Sequence, residues 1–425
     1  MASSEREFER VFRAEHARVL ATVARVVGDL ARAEELVQEA WLRALEHWPR
    51  EGAPEKPGAW LVTAARRLAI DAWRREAVAK REAARERADA APAVDVDARI
   101  DAALAPELLR DDPLRLMFAC CHPVLAREAQ LALTLHTLAG LSVAEIARAF
   151  LADERAIAQR LVRAKRMLRT RRVPFRVPTA YELPARTPVV LDVLYLVFNE
   201  GYAATSGDAL VRRELCDEAL RLARLVADAL PGAEALALVA LFELQASRLA
   251  ARVDASGRAL TLEQQDRARW DRARISAGLA TLASARRAPR PGAFLLQAEI
   301  AACHARAPSF ARTNWRRIVS CYDALLALNP SPVIELNRVV ALSYRDGASA
   351  GLAALEALRL EPRMRRYPYA AATHADLLRR AQRWSEAAAE FARAERAMRT
   401  PAERALMAER RAECLRAVAT PRSLA

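Results

Sequence analysis

The sequence has few glycines, no familiar catalytic motif and no apolar run long enough to cross a membrane. Its 425 residues include 12 glycines, and no glycine-rich phosphate loop, HExxH or GxSxG motif occurs. The apolar stretches fall short of the ~18–20 residues that span a bilayer. The N-terminus is charged from its fifth residue, unlike a signal peptide. These absences predict a cytoplasmic protein that is not an enzyme and has no membrane segment.

Metal and disulfide chemistry are not expected either. The six cysteines are scattered along the chain, as is usual in a reducing compartment. Cys120, Cys121 and His122 are adjacent and look metal-like. Neighbouring helical side chains point about 100° apart, so three in a row cannot all face one ion. We expect these residues to pack in a core, with no metal and no cofactor.

What the sequence does have is positive charge and apolar residues. There are 67 Lys and Arg against 53 Asp and Glu, a formal net charge of +14, with a pI near 10.2. Lysines occur at Lys56, Lys80 and Lys165 alone, so a bias toward arginine explains the composition but not the excess. The charge favours a polyanionic partner, nucleic acid before an acidic membrane. A hydrophobic content of 53% with so few glycines predicts a well-packed, mostly helical protein.

Residues 142–169 predict two helices joined by a tight corner. Ser142 and Glu145 have the spacing of a capping box, and Asp153 is placed to cap the second helix. Each helix has one apolar stripe, made by Val143, Ile146 and Phe150 and then by Ile157, Leu161, Ala164 and Leu168. The outer face of the second helix carries Arg155, Gln159, Arg160, Arg163, Lys165 and Arg166. This pattern is typical of a helix-turn-helix whose second helix enters the DNA major groove. The alternative is an amphipathic helix pair with a solvated arginine face.

The first 76 residues predict three helices. Gly28-Asp29 separates the first from the second, whose buried face holds Leu36, Val37, Ala40, Trp41, Ala44, Leu45 and Trp48. Its outer face has Glu35, Gln38, Glu39 and Leu42, which suits either a protein-binding surface or an ordinary solvated face.

A loop over 49–58 leads to the third helix, over 59–76. It directs Trp60 and Trp73 toward a core and leaves arginines projecting: Arg66, Arg67, Arg74 and Arg75. Aromatic rings beside arginines suit unstacked bases, although both tryptophans also suit a core.

These segments, in this order, resemble the sigma-70 family of bacterial transcription initiation factors, in its extracytoplasmic-function (ECF) group. The likeness is carried by AEELVQEAWLRAL (33–45), AWLVTAARRLAIDAWRR (59–75) and GLSVAEIARAF…IAQRLVRAK (140–165). It implies an all-α fold with sigma region 2 over 5–76, a flexible linker over 77–112, and the region 4 helix-turn-helix over 113–172. Arg67 stands where the family often has Asn, and Ala158 where it often has Lys or Arg. The preferred promoter bases are therefore not predicted.

The resemblance also implies partners and roles. Core RNA polymerase, through its clamp and flap, and promoter DNA are the expected partners. Glu34, Glu35, Gln38, Glu39 and Leu42 would bind the core enzyme. The −10 element would be read and melted around Trp60, Arg66, Arg67, Trp73, Arg74 and Arg75. The −35 element would be read by the basic face of the helix-turn-helix.

The chain continues far beyond the usual end of an ECF factor. A proline-punctuated joint over 173–187 is expected to be extended, and a helical region over 188–418 follows, with one of its helices expected over 263–286. Pro330 and Pro362 are 32 residues apart, and Ala387, Phe391 and Ala394 have tetratricopeptide-like spacing. The segments LYLVFNEGY (194–202) and EQQDRARWD (263–271) resemble an ECF subgroup with a tetratricopeptide-like tail. Gly201 is interpreted as a helix cap rather than part of a polar site.

We therefore expect a sigma factor that is regulated through its tail, which would contact a protein partner or the chain's own DNA-binding domains. One alternative is a free-standing helix-turn-helix regulator with a sensory helical repeat domain. Another is an enzyme within 188–310, where the charges of the 263–271 segment would form the site, although no nucleophile or metal set is recognisable there.

Overall fold

The computed structural model describes residues 2–87, 112–138, 140–150, 152–173, 181–203, 211–255, 258–287, 292–361, 364, 367–398 and 400–419. Over these ranges 81% of the chain is helical, in 18 α-helices and no strands, which confirms the all-α fold class. No helix in the described ranges is long and apolar enough to span a membrane. The chain divides into two compact units, Met1–Val193 and Leu194–Ala425.

Three helices that pack on one another begin the N-terminal unit: α1 (Ala2–Val27), α2 (Leu30–Glu51) and α3 (Pro57–Arg87). Gly28, with a φ of +74°, ends α1 where a side chain would be strained. The carboxylate of Asp29 then caps α2 by accepting the N–H of Arg32 at 3.0 Å. Apolar residues of the three helices meet in one core, including Leu20, Val23, Val37, Trp41 and Leu61.

The predicted boundaries were wrong at two ends. α2 continues through Pro49 to Glu51, so the loop covers 52–56 rather than 49–58. A proline in the last turn removes a single hydrogen bond, and the N–H of Gly52 closes the helix on the carbonyl of Trp48. α3 extends to Arg87, eleven residues into the predicted linker, because alanine, glutamate and arginine favour a helix even without apolar partners. Residues 88–111, the rest of that linker, lie outside the described part.

Four further helices and the start of a fifth complete this unit: α4 (Asp112–Cys120), α5 (Arg127–Thr137), α6 (Val143–Phe150), α7 (Glu154–Thr170) and α8 (Leu183–Tyr202). α7 packs on α5 and α6, and also touches α2. The predicted joint over 173–187 is helical from Leu183 onward, since Pro184 falls in the first turn, where no N–H is needed. Residues 174–180 lie outside the described part.

The C-terminal unit stacks helices so that neighbours along the chain touch. These are α9 (Arg213–Ala229), α10 (Ala233–Ala246), α11 (Arg272–Ala285), α12 (Ala293–Arg306), α13 (Trp315–Leu328), α14 (Pro332–Asp346), α15 (Ala348–Leu360), α16 (Pro368–Arg380), α17 (Trp384–Ala397) and α18 (Pro401–Ala419). Separate buried clusters follow one another along α12–α18, as in helical repeat proteins. Ala387, Phe391 and Ala394, which have the tetratricopeptide-like spacing, are buried. Pro362 lies outside the described part.

Two local predictions in this unit were wrong. Residues 263–271 form an irregular segment with one 3-10 turn, Arg267–Arg269, instead of starting a helix, because Asp266 and Asp271 each cap a new turn. Gly201 lies inside α8 rather than at a cap. A Cβ on Gly201 would lie 2.8 Å from the carbonyl oxygen of Arg212 and from Cys216, so close packing is what requires this glycine.

Candidate functional site

Capping residues fix the helix-turn-helix where the sequence predicts it. The N–H and hydroxyl of Ser142 both donate to Glu145 Oε2, at 2.7 and 2.8 Å, while the N–H of Glu145 donates back to Ser142 Oγ at 3.2 Å. Asp153 Oδ1 accepts the N–H groups of Arg155 and Ala156, at 2.9 and 3.3 Å. The predicted apolar stripe of α7 is buried, at Ile157, Leu161, Ala164 and Leu168. The two caps therefore set the starts of α6 and α7. The buried stripe sets the side that α7 turns outward.

The outward side of α7 is a basic face. Arg155, Gln159, Arg163 and Arg166 are exposed, whereas Arg160 and Lys165 are half-buried. Arg163 is held along the helix by its Nε, which donates to the carbonyl of Gln159 at 3.3 Å. A short helix packed under a longer one with such a face has the geometry that places side chains against base edges and phosphates.

Lys165 on this face forms an ion pair with α2, the helix that carries the predicted polymerase-binding residues. Its Nζ lies 2.5 Å from Glu34 Oε2 on α2, with the two side chains 20% and 23% exposed. A second pair, Arg169 with Asp29 at 3.5 Å, lies beside it. A predicted DNA-binding residue and a predicted polymerase-binding residue thus neutralise each other in this arrangement. The sequence gives no signal for this contact, because the residues are far apart in the chain.

The remaining polymerase-binding candidates form an open stripe on α2. Glu35, Gln38 and Glu39 are exposed. The two carboxylates meet local arginines: Glu35 pairs with Arg32 at 2.8 Å and Glu39 with Arg43 at 3.6 Å. Leu42 is 51% exposed and Leu45 is 48% exposed. The sequence reading placed Leu45 in the core, which was wrong, although its spacing of three residues from Leu42 would have placed both on one face. Two exposed leucines among carboxylates suit a protein partner better than DNA.

The −10 candidates divide between surface and core. Trp73 is 6% exposed, so its ring belongs to the bundle. Trp60 is half-buried, and its ring centre lies 5.7 Å from that of Trp48. The arginines Arg67, Arg74 and Arg75 are exposed, and Arg66 is half-buried. Trp60 is therefore the one of the two tryptophans that can meet an unstacked base without rearrangement of the bundle.

The cysteine pair on α4 and the segment after it is packed in the core. The thiols of Cys120 and Cys121 lie 3.5 Å from Thr137 Oγ1 and 3.7 Å from Thr134 Oγ1. Burial raises the pKa of the Cys121 thiol to about 12, so it stays protonated and is a poor metal ligand. Across the described ranges no group of three or more His, Cys, Asp or Glu side chains is arranged to hold a metal.

Comparison with known families assigns all three regions. Sigma-70 region 2 matches residues 11–78, and Sigma-70, region 4 matches residues 115–168. Residues 186–286 match a family of unknown function (DUF6596). No solved structure matches the chain.

Two relatives agree with this assignment. The chain is 43% identical over 380 residues, 88% of each chain, to the uncharacterized protein R00370 of Rhizobium meliloti (strain 1021). It is 44% identical over 72 residues, 16% of this chain and 41% of the relative, to the ECF RNA polymerase sigma factor SigL of Mycobacterium tuberculosis. With sigma regions 2 and 4 in order and a DUF6596 domain after them, the chain belongs to the ECF group of the sigma-70 family of RNA polymerase sigma factors.

Proposed function

We propose that this sigma factor directs core RNA polymerase to promoters with separate −10 and −35 elements and catalyses no reaction itself. The basic face of α7 reads the −35 duplex, the surface around Trp60 and the arginines of α3 opens the −10 element, and the stripe on α2 docks on the polymerase clamp. The observation that supports this most directly is the pairing of two unlike exposed surfaces in one unit. One is basic and suits DNA, whereas the other is acidic and apolar, and DNA would repel it.

Pull-down with core polymerase followed by run-off transcription tests the proposal. The full-length chain is expected to bind core enzyme that lacks a sigma subunit and to start transcription at a defined site. A free-standing helix-turn-helix regulator would instead bind duplex DNA alone and would not be retained by the core enzyme. Failure to bind the core enzyme would therefore overturn the proposal even if the protein bound DNA.

The second part of the proposal is that the C-terminal unit regulates initiation. Its support is the way α8, the helix that leads into that unit, is attached to region 4. Arg186 is buried and donates to the carbonyl of Phe118 at 3.3 Å, and Asp192 pairs with Arg127. A change in the conformation of α8 would thus act directly on the helices that hold α7.

A truncation tests this part. A chain that ends after Tyr202 keeps the contacts of Arg186 and Asp192 but loses the C-terminal helices. We expect its promoter-driven transcription to differ from that of the full-length chain at equal occupancy of the core enzyme. Equal transcription from both chains would show that the C-terminal unit has no regulatory role.

A further inference from the structure

Three arginines gather around one tyrosine and one histidine in the C-terminal unit. The guanidinium carbon of Arg252 lies 3.7 Å from the centre of the Tyr202 ring, and that of Arg248 lies 5.3 Å from the same centre. Arg267 Nη1 donates to the carbonyls of His304 and Ala307, at 2.5 and 2.8 Å. All three arginines are half-buried. We call Arg248, Arg252 and Arg267, together with His304, the arginine cluster.

The cluster has no counter-charge. Among the residues that the structure describes, no carboxylate lies within ion-pair distance of its three guanidinium groups. The nearest partner of Arg248 is the neutral amide of Gln245, whose Oε1 accepts at 2.5 and 3.2 Å. By contrast, Arg379, which lines the neighbouring cavity described below, meets both Asp376 and Glu413. A concentration of half-buried positive charge without an anion is unfavourable unless a ligand supplies one.

Several polar nitrogens of the cluster are also unused. Arg252 Nε, Arg267 Nη2 and His304 Nδ1 are each buried and have no hydrogen-bond partner within the described structure. A buried polar nitrogen left unpaired is unfavourable, and more so when it is charged. Three such atoms in one place indicate a site whose hydrogen bonds are completed by something outside the chain.

The electrostatics of the cluster agree with an anion site. Burial lowers the pKa of Arg248, and the charge of Arg252 lowers it further. Burial and then the charge of Arg248 lower the pKa of Arg267. Burial and then Arg248 and Arg267 lower the pKa of His304 to about 3. His304 is therefore neutral at pH 7, whereas guanidinium groups keep their charge in proteins.

A cavity beside His304 offers room for the rest of a ligand. It has a volume of about 280 Å³, and His304 lines it together with the rings of Phe310, Trp315, Tyr322 and Tyr344. Charged side chains line it as well: Glu263, Asp376, Arg379 and Arg410. This volume is near the lower end of the range for small-molecule sites, and the aromatic lining is typical of them. His304 thus belongs both to the cluster and to an aromatic cavity, which favours a ligand with an anionic group and a compact aromatic or apolar body.

We infer that the arginine cluster binds the phosphate group of a small organic phosphate whose body occupies the neighbouring aromatic cavity. Planar guanidinium groups with several N–H donors match the oxygens of a phosphate, and a dianion offsets three positive charges better than a single carboxylate does. This inference concerns the C-terminal unit alone and does not depend on promoter recognition by the N-terminal unit.

Calorimetric titration of the full-length, DNA-free protein tests the inference with three probes: inorganic phosphate, phenyl phosphate and benzoate. Ionic strength is kept constant with chloride. We expect saturable one-to-one binding of phenyl phosphate, at least tenfold tighter than inorganic phosphate because the ring enters the cavity, and weaker binding of benzoate. Absence of saturable binding by both phosphates would overturn the inference. Equal affinity for the two phosphates would overturn its cavity part.

Two variants locate the binding. Arg252→Gln is expected to weaken phenyl phosphate at least tenfold, whereas Arg252→Lys, which keeps the charge but not the planar fork, should weaken it less. Arg383→Gln is the matched control, since Arg383 is exposed and pairs with Glu386, and its affinity should equal that of the wild type. If Arg252→Gln does not fold, the Lys variant decides. Wild-type affinity in a folded Arg252 variant would contradict the assignment.

Discussion

The two units of this chain differ in where their positive charge lies and in whether it is paired with carboxylates. In the N-terminal unit most basic side chains of α7 are exposed, and Lys165 lies against a carboxylate, that of Glu34, at 2.5 Å. In the C-terminal unit Arg248, Arg252 and Arg267 are half-buried, and they have no carboxylate partner among the described residues. The net charge of +14 therefore does not arise from a single DNA-binding surface.

This difference shows which kind of anion each unit suits. An exposed basic face binds a polyanion such as DNA by displacing counterions, so its affinity depends strongly on salt. A recessed cluster with unused N–H groups instead selects a small anion by geometry, with less dependence on salt because burial reduces screening.

The largest expected effect belongs to the exposed acidic stripe on α2. Changing Glu35 and Glu39 to Lys is expected to weaken binding to core polymerase by tenfold to a hundredfold, about 1.4–2.8 kcal/mol, because like charges would face each other at the interface. Affinity for an isolated −35 duplex should not fall. Pull-down titration and duplex binding measure the two quantities separately.

A control variant carries the same change of charge elsewhere. Glu335 and Glu356 are exposed on α14 and α15 of the C-terminal unit, and changing both to Lys adds the same charge there. This control should bind the core enzyme like the wild type. If it lost affinity equally, the effect would reflect net charge rather than a docking surface.

The next effect concerns the basic face of α7. Arg163→Ala is expected to cost roughly 1–3 kcal/mol at the matched −35 position if Arg163 reads a base, and to relax the preference there. If Arg163 contacts a phosphate instead, affinity falls equally for all sequences and the salt slope becomes shallower by about one unit. Arg383→Ala in the C-terminal unit should change neither quantity. Competition binding with single-base variants of the site separates these outcomes.

Local signals in the sequence located the helix-turn-helix but not the contacts across the fold. Ser142 and Asp153 fix helix starts through hydrogen bonds to residues within three positions, so sequence spacing was enough. The pairing of Lys165 with Glu34 depends on how α7 packs against α2, and no local pattern reports that.

The arginine cluster could not be predicted from the sequence for the same reason. Its members extend from Arg248 to His304 and meet only after several helices have packed. The EQQDRARWD segment is rich in charge, but it was predicted to begin a helix. In the structure Arg267 of that segment caps the end of α12 by bonding to the carbonyls of His304 and Ala307. A charged residue outside a helix was therefore the one feature of the sequence that pointed to this cluster. Its partners could not be predicted from the sequence.

A smaller effect tests His304 through pH. Its pKa is about 3 in the folded chain, through burial and then Arg248 and Arg267, against an ordinary value of 6.5. The unfolded chain therefore takes up a proton below pH 6.5 that the folded chain refuses, so the stability present at pH 7 is lost as the pH falls toward 3. We expect His304 to account for a loss on the order of 1–2 kcal/mol between pH 7 and pH 5.

Urea unfolding of the wild type and of His304→Asn at both pH values measures this loss. The variant should show the smaller drop, while His16, whose pKa burial lowers to about 4, contributes equally to both proteins. Equal drops would mean that His304 is not held neutral by its surroundings. Saturating phenyl phosphate should reduce the wild-type drop, because a bound anion would stabilise the protonated imidazole.

The smallest effect concerns the ion pair between α2 and α7. Glu34→Gln removes the partner of Lys165 with little change in shape, so the freed ammonium group can join the basic face of α7. Half-exposed ion pairs contribute about 0.5–1 kcal/mol, so the affinity of the free protein for a −35 duplex should rise two- to fivefold. Glu35→Gln is the matched control, because it removes the same charge but only an exposed pair with Arg32 at 2.8 Å. Equal gains from both variants would mean that net charge, and not release of Lys165, sets the affinity. The gain should be specific to Glu34→Gln and should disappear in the Glu34→Gln, Lys165→Gln double variant. This result would show that pairing with Glu34 keeps Lys165 from contributing to DNA affinity in the free protein.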